Sequence, residues 1–137
     1  MSRVKNKNTK PELRIRSLLH KKGFRFRLHK KDLPGRPDIV LPKYMTVILV
    51  HGCFWHQHEG CSASKRPSTH TEFWNSKLEE TIKRDRTNQK KLRDLGWQVI
   101  VIWECEMNDM QYLEKKIDQV AQLLMREYFH GKIAIEE

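Results

Sequence analysis

Apolar positions change period several times along the chain, and each change predicts an element. Thr9-Lys10-Pro11-Glu12 has capping-box spacing with Pro near the first turn, so a helix is expected to open there. Leu13, Leu18 and Leu19 supply its apolar face, and Gly23 its stop. From Phe24 to Leu28 apolar and basic residues alternate, the period of a half-buried strand. Leu33-Pro34-Gly35-Arg36-Pro37 is a turn cluster, Asp38 to Leu41 a short strand, and Thr46 to Val50 another after a turn at Pro42 to Met45. Beyond a polar stretch, Thr69 or Thr71 caps a long helix that reaches about Leu95. Leu78, Ile82, Leu92 and Leu95 form its apolar face, and Gly96 ends it. Trp97 to Trp103 is a nearly continuous apolar run, the pattern of a strand covered on both faces. Leu113, Ile117, Val120 and Leu124 mark a final helix, and residues 128–137 are assigned no element and read as a poorly ordered tail.

The order helix, strand, strand, strand, helix, strand, helix predicts an α/β fold, a mixed central sheet flanked by helices. At 137 residues the chain is expected to be a single domain spanning 1–137. No apolar run approaches the roughly 18 residues of a membrane span. The polar, charged start lacks the apolar core of a signal peptide, so a cytoplasmic protein is expected. Three cysteines, an odd number, do not make a disulfide framework and suit metal-bound thiolates instead. Lys and Arg number 27 against 17 Asp and Glu, a net charge of +10. That balance favours a polyanionic partner, nucleic acid first, because neutralising phosphates releases counterions.

The chemistry concentrates in His51-Gly52-Cys53-Phe54-Trp55-His56-Gln57-His58-Glu59-Gly60-Cys61, directly after the apolar run Val47 to Val50. Cys53, Cys61 and the distant Cys105 with one histidine would make a Cys₃His zinc site; spacing leaves His56 and His58 equally eligible. The surplus histidines are candidates for chemistry on a phosphate. Asp38, at a strand start behind a rigid turn, is placed to hold Mg²⁺, although a lone aspartate there more often caps the turn. Phe54-Trp55 and Phe73-Trp74 are adjacent aromatic pairs suited to wedging into a duplex. Phe73 is expected instead to pack inside, and Trp97 and Trp103 to belong to the buried strand.

LPGRPD (33–38), HGCFWH (51–56), TEFW (71–74), RDR (84–86), LGW (95–97) and WEC (103–105) together resemble the very-short-patch repair endonucleases. The resemblance spans roughly Thr9 to Cys105, in order and near spacing. It implies a restriction-endonuclease-like fold and a bacterial, cytoplasmic, nucleoid-acting monomer. Such an enzyme nicks one strand of duplex DNA beside a T·G mismatch, with other mismatch-repair proteins as possible partners. It also implies roles. Asp38 and the backbone carbonyl of Val50 hold Mg²⁺, His56 is the general base, His51 contacts the scissile phosphate or leaving group, and Glu12 holds a metal-bound water. Cys53, His58, Cys61 and Cys105 become the zinc ligands, which frees His56. Phe54, Trp55 and Trp74 form the wedge, and Met1 and Val4 are the apolar tips of an N-terminal DNA-contacting arm whose remnant is 1–8. Val50 stands where the family often has threonine, and Cys53 to Cys61 is one residue longer than usual, Glu59-Gly60 being the insertion. Two other readings compete: a restriction or homing-type nuclease of the same fold acting on matched DNA, and a non-catalytic zinc module that only binds DNA. The second needs neither Asp38, His51 nor His56.

Overall fold

The computed structural model describes residues 10–136, with side chains through Phe129. Thr9, and with it the capping box, lies outside the described residues, as do Met1 and Val4. Helix α1 spans Lys10–Lys21 and buries Glu12, Ile15, Leu18 and Leu19. Leu13, expected on this face, is 46% exposed because it lies about 100° round the helix from Glu12. Gly23, at φ +89°, closes the helix. Its N–H bonds His20 O and that of Phe24 bonds Leu19 O, the paired bonds of a Schellman stop.

The expected strand over Phe24 to Leu28 shrinks to β1, Arg27–Leu28, both residues exposed. Phe24 is drawn into the core instead, where its ring meets Tyr44 edge-on at 5.3 Å. Strands β2 (Ile39–Leu41), β3 (Thr46–His51) and β4 (Gln98–Trp103) follow the sequence pattern closely. The sheet order is β1-β2-β3-β4: the first two pairings are antiparallel, and β3 runs parallel to β4. A parallel neighbour requires a crossover, supplied by α2 (Thr71–Asp94). No threonine caps α2. Its N-cap is His70, in left-handed backbone and without a side-chain bond.

Alternation along β2 and β3 divides the core. Ile39, Leu41 and Ile48 face α1 and α3 (Met110–Glu136), where Ile15, Leu19, Leu113, Ile117 and Leu124 bury completely or nearly so. Val40 and Val47 face the other way, onto Leu92 of α2 and the half-buried Trp97 and Val99. Helices thus cover both faces of the mixed sheet, the α/β arrangement expected. β4 is less enclosed than its apolar run suggests, since it is an edge strand and only Ile102 is fully buried. Leu95, expected on the α2 face, caps the helix end and is 59% exposed. α3 runs past Tyr128, where the sequence assigns no element. The Tyr128 ring packs edge-on against Tyr44 at 5.5 Å with the Lys43 ammonium 5.0 Å from its centre, contacts between residues far apart in sequence. Among the described residues no helix is long and apolar enough to cross a membrane.

Candidate active site

Asp38 immediately precedes β2, and pairing of Ile39 with Ile48 sets it beside the end of β3. There Val50 N–H donates to Asp38 Oδ2 at 2.8 Å. From α1, the buried Glu12 reaches the same place. One of its oxygens accepts from Arg16, a turn further on, and the other meets His29 Nε2 at 2.9 Å. The ligand atoms of Glu12, His29 and Asp38 all lie within 4.8 Å of one another. Burial pushes the Asp38 carboxyl up to about 6; the Val50 N–H opposes this, and the neighbouring Glu12 carboxylate adds to it. Glu12, His29 and Asp38, crowded in a desolvated corner, could hold a cation, which would favour the ionised form of Asp38.

At the end of β3 the buried His51 ring stacks on His56, centroids 3.9 Å apart and planes 6° from parallel. Burial first, and His56 second, push the His51 imidazole down to about 4, so it is neutral at physiological pH. His51 Nδ1 is buried and without a hydrogen-bond partner among the described residues. His56 Nδ1 lies 2.7 Å from Asp85 Oδ2, on α2. In the neutral tautomer whose Nδ1–H donates to this carboxylate, Nε2 is the ring's accepting nitrogen. Asp38, His51, His56 and Asp85 all line one cleft of about 550 Å³, together with the cationic Lys31, Arg36 and Arg84.

The loop after β3 turns back on itself through His58 N–H to Cys53 O (2.9 Å) and His56 N–H to Gly52 O (3.1 Å). This carries Cys53, His58, Cys61 and Cys105 together, their ligand atoms all within 4.8 Å. His58 Nδ1 lies 3.7 Å from Cys53 Sγ and 3.4 Å from Cys105 Sγ. A tetrahedral zinc with Zn–S near 2.3 Å and Zn–N near 2.0 Å would require an edge of about 3.5 Å. Burial pushes the Cys53 thiol up to about 12, so thiolates here need a cation to be stable. The donor set and spacing therefore fit a closed, four-coordinate metal. The His58 ring also stacks on Trp103 at 4.2 Å, and Trp103 meets His51 edge-on at 5.2 Å. Trp103 thus links the thiol cluster to the catalytic candidates, more than the strand filler expected of it.

From the same loop, Phe54 and Trp55 join Trp74 of α2 in one aromatic wall, with centroid separations of 5.2, 5.6 and 5.8 Å. Phe73 was expected inside, but it is 60% exposed and extends this wall against Trp74 at 5.3 Å. Its position at the start of α2, ahead of the first buried turn, leaves it no core to enter.

Every candidate within the described residues is therefore brought to one end of the sheet. Sequence reasoning missed His29 and Asp85. Asp85 sits inside the RDR motif, where its carboxylate reads as part of a solvated helix face, and only the crossing of α2 past the loop reveals its partner.

Few tasks call for paired imidazoles and carboxylates in a basic cleft with a wall of stacking rings on the adjoining loop; the class these suit is a nuclease. Comparison with known proteins narrows this. Residues 1–62 match the family model described as DNA mismatch endonuclease Vsr. The chain is 47% identical over 120 residues to the type II nicking enzyme V.XorIIP of Xanthomonas oryzae pv. oryzae, covering 88% of each chain. It is 39% identical over 132 residues to the DNA mismatch endonuclease Vsr of Escherichia coli, covering 96% of this chain and 82% of that one. To the type II nicking enzyme V.NmeAIP of Neisseria meningitidis it is 39% identical over 120 residues, covering 88% and 85%. The chain belongs to the Vsr family of DNA endonucleases.

Proposed function

We propose that this protein is a Mg²⁺-dependent endonuclease that nicks one strand of duplex DNA beside a T·G mismatch, held in shape by a structural zinc. The observation that carries this reading is the convergence of Asp38 and the His51–His56–Asp85 cluster on one cation-lined cleft, with an aromatic wall built partly from the loop that carries His56.

Asp38 and the Val50 carbonyl hold Mg²⁺, which when bound neutralises charge developing on the phosphate and leaving oxygen. His56 takes the proton of the attacking water at Nε2, and Asp85 holds the ring and stabilises the imidazolium that results. Neutral His51 donates a hydrogen bond to the scissile phosphate or leaving oxygen; stacking on His56 fixes its plane. Glu12, held by Arg16 at one oxygen, turns the other toward the corner it shares with His29 and Asp38, where it would meet the cation or a water beside it. Cys53, His58, Cys61 and Cys105 hold zinc and thereby the loop that carries His56. Phe54, Trp55 and Trp74, joined by the exposed Phe73, stack against opened bases. A T·G wobble pair is the step where unstacking costs least, which supplies selectivity with few base contacts. Met1 and Val4, outside the described residues, belong to an arm that adds contacts to the DNA. The enzyme acts as a monomer, since one nick needs one active site.

The test is strand cleavage of labelled T·G and fully matched duplexes with Mg²⁺, by wild-type and Asp38→Ala protein. A single nick confined to the mismatched duplex and lost in the variant is expected. Equal cutting of matched DNA would replace mismatch repair by a restriction-type activity. Tight binding without cutting would reduce the protein to a binding module.

A further inference from the structure

We propose that His29 joins Glu12 and Asp38 as a nitrogen ligand, so that the cleft's cation site is a mixed one that binds Mn²⁺ more tightly than Mg²⁺. This rests on the metal-dependent reading above and specifies its metal.

The backbone is bent to deliver this ring. His29 follows β1 at φ +46°, a left-handed conformation that a non-glycine residue rarely adopts. Its N–H is pinned to Asp38 O at 3.2 Å, which fixes it to the residue it would share a cation with. The bend turns the imidazole away from the line of β1 and into the cleft, where His29 and Asp38 are both lining residues. Nε2 then sits 2.9 Å from Glu12 Oε1. That separation matches the edge of an octahedron around a cation with bonds of about 2.1 Å, roughly 2.9–3.0 Å. Charge balance alone does not call for the histidine, because Arg16 already pairs with Glu12.

The chemistry follows from donor type. Two carboxylates and waters suit Mg²⁺, whereas an imidazole is a softer donor that favours first-row transition ions. Replacing one oxygen by nitrogen therefore shifts preference toward Mn²⁺ without excluding Mg²⁺. The thiol-rich cluster near Cys53 does not compete, because zinc holds it against the more weakly binding Mn²⁺.

The experiment uses zinc-loaded full-length protein and measures Mn²⁺ and Mg²⁺ binding by calorimetry, with ¹⁴N couplings of bound Mn²⁺ read by pulsed electron paramagnetic resonance. Wild type is expected to bind Mn²⁺ about tenfold or more tightly than Mg²⁺. His29→Gln keeps an amide donor for Glu12 but removes the imidazole. It is expected to lower Mn²⁺ affinity about tenfold, to change Mg²⁺ affinity by less than about threefold, and to lose an imidazole ¹⁴N coupling. His29→Asn, which suits left-handed backbone, should behave alike if the Gln variant folds poorly. Unchanged Mn²⁺ affinity and coupling in both variants, with binding lost in Asp38→Ala, would reduce His29 to a hydrogen-bond donor to Glu12. Binding that survives Asp38→Ala as well would remove the cation site itself, and with it the metal-dependent reading.

Discussion

Asp85→Asn isolates what the α2 carboxylate contributes to the proposed base. The side chain keeps its shape, and its amide oxygen can still accept from His56 Nδ1, so the tautomer survives; the charge does not. In the proposed reaction His56 becomes an imidazolium, its Nδ1 2.7 Å from Asp85 Oδ2. Taking charge centres about 4 Å apart at an effective dielectric near 20, the attraction is about 4 kcal/mol. His56 and Asp85 side chains are 28% and 20% exposed, so solvent screening reduces this to roughly 2–3 kcal/mol. That corresponds to a loss of about 30- to 150-fold in the chemical step. The assay is single-turnover nicking of a T·G duplex at saturating enzyme, with affinity followed separately by fluorescence anisotropy. Cleavage should slow by that factor while affinity stays within about twofold. A rate within about threefold of wild type, in a protein of unchanged melting temperature, would refute the base assignment or the coupling of Asp85 to it.

Three further outcomes follow from the same geometry. Cys105→Ser should remove one equivalent of zinc by elemental analysis and lower the melting temperature by roughly 10 °C, as expected for the loss of about 3 kcal/mol; full zinc content in the variant would refute the ligand set. Trp74→Ala should weaken binding to T·G DNA by about 5- to 150-fold, the range for losing one stacked base, with a smaller effect on matched duplex; equal losses on both would mean that the ring does not sense the mismatch. Asp38→Asn should stabilise the Mg²⁺-free protein at neutral pH by roughly 1–3 kcal/mol, measured by urea unfolding. Its carboxyl is raised from 3.8 to about 6, so its favourable contribution is present below 3.8 and lost as pH rises through 6. The advantage of the variant should therefore shrink as pH falls from 6 toward 4, and an advantage independent of pH would contradict the burial argument.

How much of this was legible in the sequence depends on how local each cause is. β2, β3 and β4 follow from contiguous apolar runs, and the grouping of Cys53 and Cys61 with one histidine follows from their spacing, which does not by itself choose His58 over His56. Cys105 required a partner across the sheet, which pairing of β3 with β4 supplies: His51 lies opposite Trp103, two residues before it. The misses are tertiary. Leu13 and Leu95 look apolar in a line of text but lie off the buried stripe or beyond the helix end, whereas Glu12, polar in the same text, is 2% exposed because Arg16 and His29 pair with it inside the fold. His29 escaped notice because a left-handed residue after a two-residue strand leaves no periodic signal. Asp85 escaped because a carboxylate amid lysines and arginines on a long helix has the pattern of ordinary surface.

The loop after β3 interleaves two jobs along one short stretch: His51 and His56 face the cleft, while Cys53 and His58 belong to the thiol cluster. Such a segment has almost no freedom to drift. Any insertion or deletion between His51 and His58 displaces the proposed hydrolytic pair relative to the proposed zinc ligands, so neither can be tuned separately. Diversification of what this scaffold cuts is thereby channelled elsewhere, to the aromatic start of α2 and the cationic rim of the cleft, where a side chain can change without disturbing the chemistry beneath it.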